Sequence, residues 1–231
     1  MQEVYTVLAA MAGGVLPALA WLWFWRREDS KHPEPRMMIA LAFLAGMVAV
    51  AVVIPIEKYA ALYLGSQTAI FTAWSFIEEI TKYLAARISV LGSKEVDEPV
   101  DPVIYMVTVA LGFAAAENTL FLLSPLAGNN MFQQFVTGNL RFVGATLLHV
   151  LASATIGAAI GFAFYKSKRM KALFLVGGLF VAFILHSVFN YLILNTPETD
   201  LLRTFAYVWI GVVALLAVLE VIKRVRPSWR R

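Results

Sequence analysis

Glu78 and Glu79 stand side by side in WSFIEEITKY, residues 74–83, with Lys82 one turn further on. The neighbouring residues are mostly aromatic and aliphatic. Polar groups interrupt three later apolar runs in the same way: Glu117 and Asn118 in GFAAAENTLF, His149 in ATLLHVLASAT, and His186 with Asn190 in ILHSVFNYL. A desolvated carboxylate suits general-base work. Carboxylates and imidazoles also ligate zinc, and inside membranes they form proton relays. A charge at the centre of a bilayer costs about 2.5–3.5 kcal/mol on insertion scales, so each such group needs a partner or a task.

Spacing narrows the roles. Glu78 and Lys82 are four apart and share a helix face in the favoured order, which makes them the expected pair. Glu79 then lies about 100° round the helix as a carboxylate with no local partner. His186 and Asn190 project together, and Phe113 lies one turn before Glu117. Structural readings stand beside the chemical ones: a Glu–Lys pair inside a bundle can simply hold helices, a lone buried histidine is usually a packing residue, and Asn118 reads as a bridge between helices. His32, the third histidine, belongs to a loop.

The elements that must position these residues follow from composition. Of 231 residues, 60% are hydrophobic and 15% charged, against about 25% charged in a soluble domain. That excludes an ordinary globular surface and implies an all-α, polytopic transmembrane helix bundle, a multi-pass protein of the cell membrane. The absence of cysteine excludes disulfides, thiolate nucleophiles and Cys-ligated zinc. The net charge of +4 does not point to nucleic acid, because the positive residues cluster in short loops between apolar runs.

About seven stretches are long enough to span: 4–25, 37–56, 66–90, 103–123, one within 132–165, 172–194 and 201–222. Three basic clusters, around Arg26 and Arg36, in KSKRMK (166–171) and in the C-terminal tail, fall on one side if the spans alternate. The positive-inside rule makes that side cytoplasmic, with the N-terminus outside and the C-terminus inside. No loop is long enough for a soluble domain, so residues 1–231 read as a single integral-membrane domain. Gly157 and Gly161 form a GxxxG contact for close helix packing. WLWFW (21–25) reads as an interfacial belt, Arg141 as snorkelling to the outer interface, and NNMFQQF (129–135) as a segment along the interface.

The ordered set EEITK, FAAAEN, a mid-span His149 and HSVFN resembles the PrsW family of intramembrane proteases, whose pattern is EExxK, FxxxEN, a His and then HxxxN. That family is distantly related to the type II CAAX prenyl proteases and to a scaffold subunit of gamma-secretase. The resemblance implies cleavage of a single-span, membrane-anchored anti-sigma factor. It maps the functional positions onto Glu78, Glu79 and Lys82; Phe113, Glu117 and Asn118; His149; and His186 with Asn190. The CAAX enzymes carry His where this chain has Glu117.

Peptide hydrolysis needs an activated water, an oxyanion stabiliser and a proton for the leaving amine. The expected division has Glu78 or Glu79 activating water, assisted by His149 or Glu117. Asn190 and a histidine hold the oxyanion, and Lys82 keeps the neighbouring carboxylate ionised. No cofactor is expected. The rival within the enzyme class is a zinc site made of Glu79, Glu117, His149 and His186. A proton-coupled transporter lacks support from inverted repeats, and a non-enzymatic scaffold leaves the Glu pair with Lys82 unexplained. Counted along the spans, Glu117 lies about 21 Å from the cytoplasmic face and about 9 Å from the outer one. Cleavage is therefore expected near the outer end of the substrate's span.

Overall fold

A computed structural model describes residues 2–28, 32–123, 131–195 and 201–227. They form α1 (Gln2–Glu28), α2 (Arg36–Ala61), α3 (Gln67–Ser89), α4 (Asp101–Leu123), α5 (Met131–Phe162), α6 (Lys168–Asn195) and α7 (Leu201–Ile222). The shortest, α7, has 22 residues, about 33 Å at 1.5 Å per residue, which matches a hydrocarbon layer of about 30 Å. Breaks fall where the sequence dictates them. Pro35 stands at the N-cap of α2, Ser66 caps α3 by accepting from the Ala69 amide at 3.2 Å, and Pro102 occupies the first turn of α4.

Five helices have described stretches long and apolar enough to cross a membrane, in α1, α2, α4, α5 and α6. In α7 the described apolar stretch, Ala206–Ile222, is shorter. Helix α3 falls outside this class because Glu78, Glu79 and Lys82 interrupt its centre. It depends on its neighbours to hide three charges at mid-helix.

Those neighbours surround α4, which is buried on every side from Asp101 to Ala115. A helix apolar all round belongs in an interior. Helices α1, α2 and α5 pack on it, α6 and α7 pack on α5, and α3 lies between α2 and α6. A Cβ at Gly46 would meet the Val109 carbonyl, and one at Gly112 the Phe43 carbonyl, so α2 and α4 touch backbone to backbone. Gly157 and Gly161 likewise seat α5 against the backbone of Pro102–Val103 and of Pro99. The outward faces are apolar: Val48, Val176, Phe180 and Val213 are all exposed, as a lipid-facing surface requires.

At the end where α4 begins, the Tyr105 hydroxyl donates to Glu34. Asp101 Oδ2 accepts from the amides of Asp97 and Glu98 at 2.8 and 2.6 Å, pinning the charged loop to the helix it precedes. The expected aromatic belt is only partly a belt. Trp23 is exposed beneath the Arg27 guanidinium at 3.9 Å, whereas Trp25 is 1% exposed and belongs to the core. The side chain of Arg141, the turns at 124–130 and 196–200, the NNMFQQF side chains and the last basic residues lie outside what is described.

Close contact at Gly112 makes a direct prediction. Gly112→Val should lower the unfolding midpoint in detergent, by an overpacking penalty of about 1–3 kcal/mol. Gly65→Ala, which meets open space, should leave it unchanged. An unaltered midpoint in Gly112→Val would contradict the backbone contact.

Candidate active site

Four helices bring the polar residues together. Helix α3 supplies Glu78, Glu79 and Lys82, α4 supplies Phe113, Glu117 and Asn118, α5 supplies His149, and α6 supplies His186 and Asn190. Every one of these sequence-derived positions lies in the same cluster or in contact with it.

Lys82 sits at its base and is fully buried. Its ammonium donates to Glu79 Oε1 at 2.6 Å and to His149 Nδ1 at 2.9 Å. It also lies 3.7 Å from Glu78 Oε2 and 4.7 Å from the centre of the Phe113 ring. Spacing names Glu78 as the partner of Lys82 and leaves Glu79 alone; the structure keeps the Glu78 ion pair at 3.7 Å but puts Glu79 closer, at 2.6 Å. Residues three and four apart are both helix neighbours, and contacts from other helices decide between them. Glu79, 1% exposed, also accepts from His186 Nδ1 at 2.8 Å and Ser153 Oγ at 3.3 Å. Glu78 instead turns towards a cavity, and its Oε2 is buried without a hydrogen-bond partner among the described residues.

The same contacts set the histidine tautomers. Lysine has no acceptor, so Nδ1 of His149 must accept from it, and Nε2 then donates to Glu117 Oε2 at 2.8 Å. His186 gives its Nδ1 proton to Glu79, which turns the Nε2 lone pair towards Glu78 Oε2, 3.9 Å away. The two rings meet edge to face at 5.1 Å.

A cavity of about 300 Å³ opens over these atoms, with Glu78, Glu117, Asn118, His149, His186 and Asn190 as its polar lining. The Asn190 amide donates to Ser75 Oγ at 3.0 Å, and Asn118 ties α4 to α5 by donating to Thr146 at 3.2 Å. Each carboxamide keeps a second N–H. Glu78 is midway along α3, eleven residues from each end, but two of the other groups are off-centre. Glu117 is six residues from Leu123 and sixteen from Asp101, and His186 is nine from Asn195 and eighteen from Lys168.

One further group reaches the cluster. Glu57 on α2 is half-buried, and its carboxyl interacts with those of Glu78 and Glu117. In sequence it stands beside Lys58 at the foot of a span, where a charge is ordinary. Because α2 continues through Pro55 to Ala61, Glu57 still faces the bundle. Trp74, a cavity-lining residue, donates to its backbone carbonyl at 3.2 Å.

The model of a family described as "PrsW family intramembrane metalloprotease" matches residues 34–219. The chain belongs to the PrsW family. It is a membrane-embedded protease and a multi-pass membrane protein. Proteins named Protease PrsW are 27% identical over 194 residues in Geobacillus kaustophilus, with 81% of each chain covered. Those of Bacillus subtilis and Oceanobacillus iheyensis are 27% identical over 190 residues and 26% identical over 216. The first pairing covers 81% of this chain and 84% of the relative, the second 90% and 94%. No solved structure matches significantly.

The PrsW family description implies a metal, which the donor atoms test. Glu78, His149 and His186 each turn one ligand atom to a common point, all within 4.8 Å of one another. This replaces the expected set, since Glu79 is occupied by Lys82, His186 and Ser153, and Glu117 stands behind His149. Glu78 Oε2 and His186 Nε2 offer lone pairs there. His149 does not, because Nδ1 accepts from Lys82 and Nε2 is protonated towards Glu117. The residues as arranged therefore supply two ligands, and a third only if Lys82 withdraws; they do not form a complete zinc site.

Lys82 is the cation that the whole cluster shares. Lys82→Met should therefore destabilise the protein strongly, by about 3–5 kcal/mol, the scale for stripping one partner from a buried ion pair. Adding Glu79→Gln should recover part of the loss. Thermal unfolding in detergent measures both, and a Lys82→Met protein as stable as wild type would refute the shared-cation account.

Proposed function

We propose that residues 1–231 act as a single intramembrane endopeptidase domain that hydrolyses a peptide bond near the outer end of a single-span membrane protein, using Glu78 as the water-activating base. The observation that carries this reading is the pair of acceptors, Glu78 Oε2 and His186 Nε2, facing each other at 3.9 Å across the cavity. One water oxygen spans such a gap with a hydrogen bond to each. Its lone pair is then free to attack a carbonyl carbon.

The remaining residues divide the work. Glu78 takes the proton of the attacking water and returns it to the leaving amine. Glu79 fixes His186 in the tautomer that accepts. The second N–H of Asn190 stabilises the oxyanion; His186, an acceptor here, does not share that task, which the sequence reading assigns to a histidine as well. Glu117 holds His149, and His149 with Lys82 supports the positive end of the cluster.

Side and substrate follow from charge and depth. Arg26, Arg27, Arg36, Lys166, Arg169 and Arg224 lie at one end of the bundle, the cytoplasmic end by the positive-inside rule. Glu117 and His186 lie nearer the other end, so we place the cut at or beyond the outer end of the substrate's span, where the chain can unwind. The PrsW resemblance extends this to an anti-sigma-factor-like substrate.

A second reading, zinc-dependent hydrolysis, requires Lys82 to release His149 Nδ1; that nitrogen would then join Glu78 and His186, whose ligand atoms lie within 4.8 Å of one another, in holding an ion that would supply Lewis-acid chemistry.

Purified protein in lipid nanodiscs, incubated with a pool of single-span reporters carrying randomised outer juxtamembrane segments, tests the proposal by mass spectrometry. Glu78→Gln and His186→Ala should each reduce cleavage by about 100-fold or more, and chelators should leave wild-type cleavage unchanged. Full activity in both variants would sink the site. Near-equimolar zinc that leaves with activity and restores it on return would establish the second reading in place of the first.

A further inference from the structure

The site described so far is enclosed by helices, yet its substrate arrives from the bilayer. We infer that the seam between α3 and α6 is a lateral gate through which an unwound segment of a single-span protein passes from lipid to Glu78, with Phe76 and Phe183 as its latch. The inference rests on the endopeptidase reading above.

Two hollows lie on either side of this seam. On the inner side, the catalytic cavity is lined by Trp74 and Glu78 of α3 and by His186 and Asn190 of α6. On the other side, an apolar hollow of about 290 Å³ is lined by Phe76 and Ile80 of α3 and by Leu179, Phe180 and Phe183 of α6. Its floor is Glu79, the residue that holds His186. Phe76 and Phe180 are 52% and 62% exposed, so this second hollow faces lipid. One pair of helices, and one ion-paired carboxylate, separates lipid from the reacting atoms.

Few bonds close the seam. Among the described residues they are the Ser75–Asn190 hydrogen bond, the edge-to-face contact of Phe76 with Phe183 at 5.7 Å and 88°, the Glu79–His186 pair and the longer approach of His186 to Glu78 at 3.9 Å. The first two are neutral contacts, each contributing about 0.5–1.5 kcal/mol. Elsewhere the bundle is shut by main chain on main chain, at Gly46 and Gly112 between α2 and α4 and at Gly157 between α5 and α4. Phe76 precedes Glu79 on α3 and Phe183 precedes His186 on the antiparallel α6, so their ring contact crosses the level of the ion pair; swinging the two rings aside and separating Ser75 from Asn190 would open the seam and leave His186 on Glu79.

The seam also suits an unwound chain. Unpaired peptide groups are costly in lipid, and a chain crossing here would find partners. Ser187 lies four residues after Phe183 and three before Asn190, on the same face of α6. Its hydroxyl is buried without a hydrogen-bond partner among the described residues. Ser75 and Asn190, released from each other, add a hydroxyl and a carboxamide.

The cysteine-free chain makes the test direct. Phe76→Cys/Phe183→Cys is locked with a short, thiol-cleavable bis-thiosulfonate in nanodiscs. It is then given the single-span reporter pool and, separately, a soluble peptide copying a segment cleaved from that pool. Locking should reduce reporter cleavage about tenfold or more while sparing the peptide, and a reductant should restore it. Phe183→Ala, which needs no crosslink, should raise reporter cleavage and leave peptide cleavage unchanged. Reporter cleavage at the unlocked rate after locking would overturn the gate. So would equal loss of both activities, since the lock would then act on the site itself. Wild-type protein that cleaves no reporter would instead reject the endopeptidase reading, a result distinct from failure of the gate.

Discussion

A single ammonium group, Lys82 Nζ, holds the functional end of this protein together. It has no access to solvent, and its partners come from its own helix, from α5 and from the face of an α4 phenylalanine. A charge so deep is tolerable only when every nearby lone pair is aimed at it. That requirement fixes more than Lys82. It orients Glu79, which orients His186; it claims one nitrogen of His149, which turns the other to Glu117. Glu78 is held more loosely, 3.7 Å from the ammonium, with its Oε2 lacking a hydrogen bond among the described residues. The proposed chemistry thus uses the carboxylate oxygen that the network grips least.

The scaffold around the network is unequal in stiffness. Helix α4 is encased, and its glycine contacts with α2 and α5 leave no space for movement. Helix α3 is held through side chains, several of them polar. A protease working inside a bilayer needs both qualities: a fixed wall to keep donors and acceptors in register, and a wall that can yield to a polypeptide. The division follows from residue size, since glycine permits backbone contact and phenylalanine prevents it.

Most of the site was legible in the sequence because polar residues in apolar helices are scarce, and scarcity at matched depth marks a shared cavity. Glu78, Glu117, His149, His186 and Asn190 all stood out on that ground, and the structure brings them together. That Glu79, and not Glu78, is the closer partner of Lys82 was not legible. Positions three and four residues away are nearly equivalent on an isolated helix, and His186 and Ser153, both distant in sequence, break the tie. The same limit applies to the histidine tautomers, which follow from hydrogen bonds between helices. Glu57 stayed hidden because a carboxylate near a span's end looks solvated until the helix is seen to continue past Pro55. Trp25 was misread for a related reason: an aromatic cluster at a span's end signals an interface on average, while individual rings in it turn inward.

The polarity of α3 also has a consequence for biosynthesis. Its two firmest interhelical partners, His149 and His186, lie 67 residues after Lys82 and 107 after Glu79. At about 5–20 residues per second, roughly 5–20 s separate the emergence of Glu79 from that of His186. Throughout that interval α3 carries charges that the bilayer resists by about 2.5–3.5 kcal/mol each. Within that interval only the pairing of Lys82 with Glu78 and Glu79 on the same helix can offset them. Lasting burial of α3 in the bilayer therefore depends on helices made later, which bring His149 and His186.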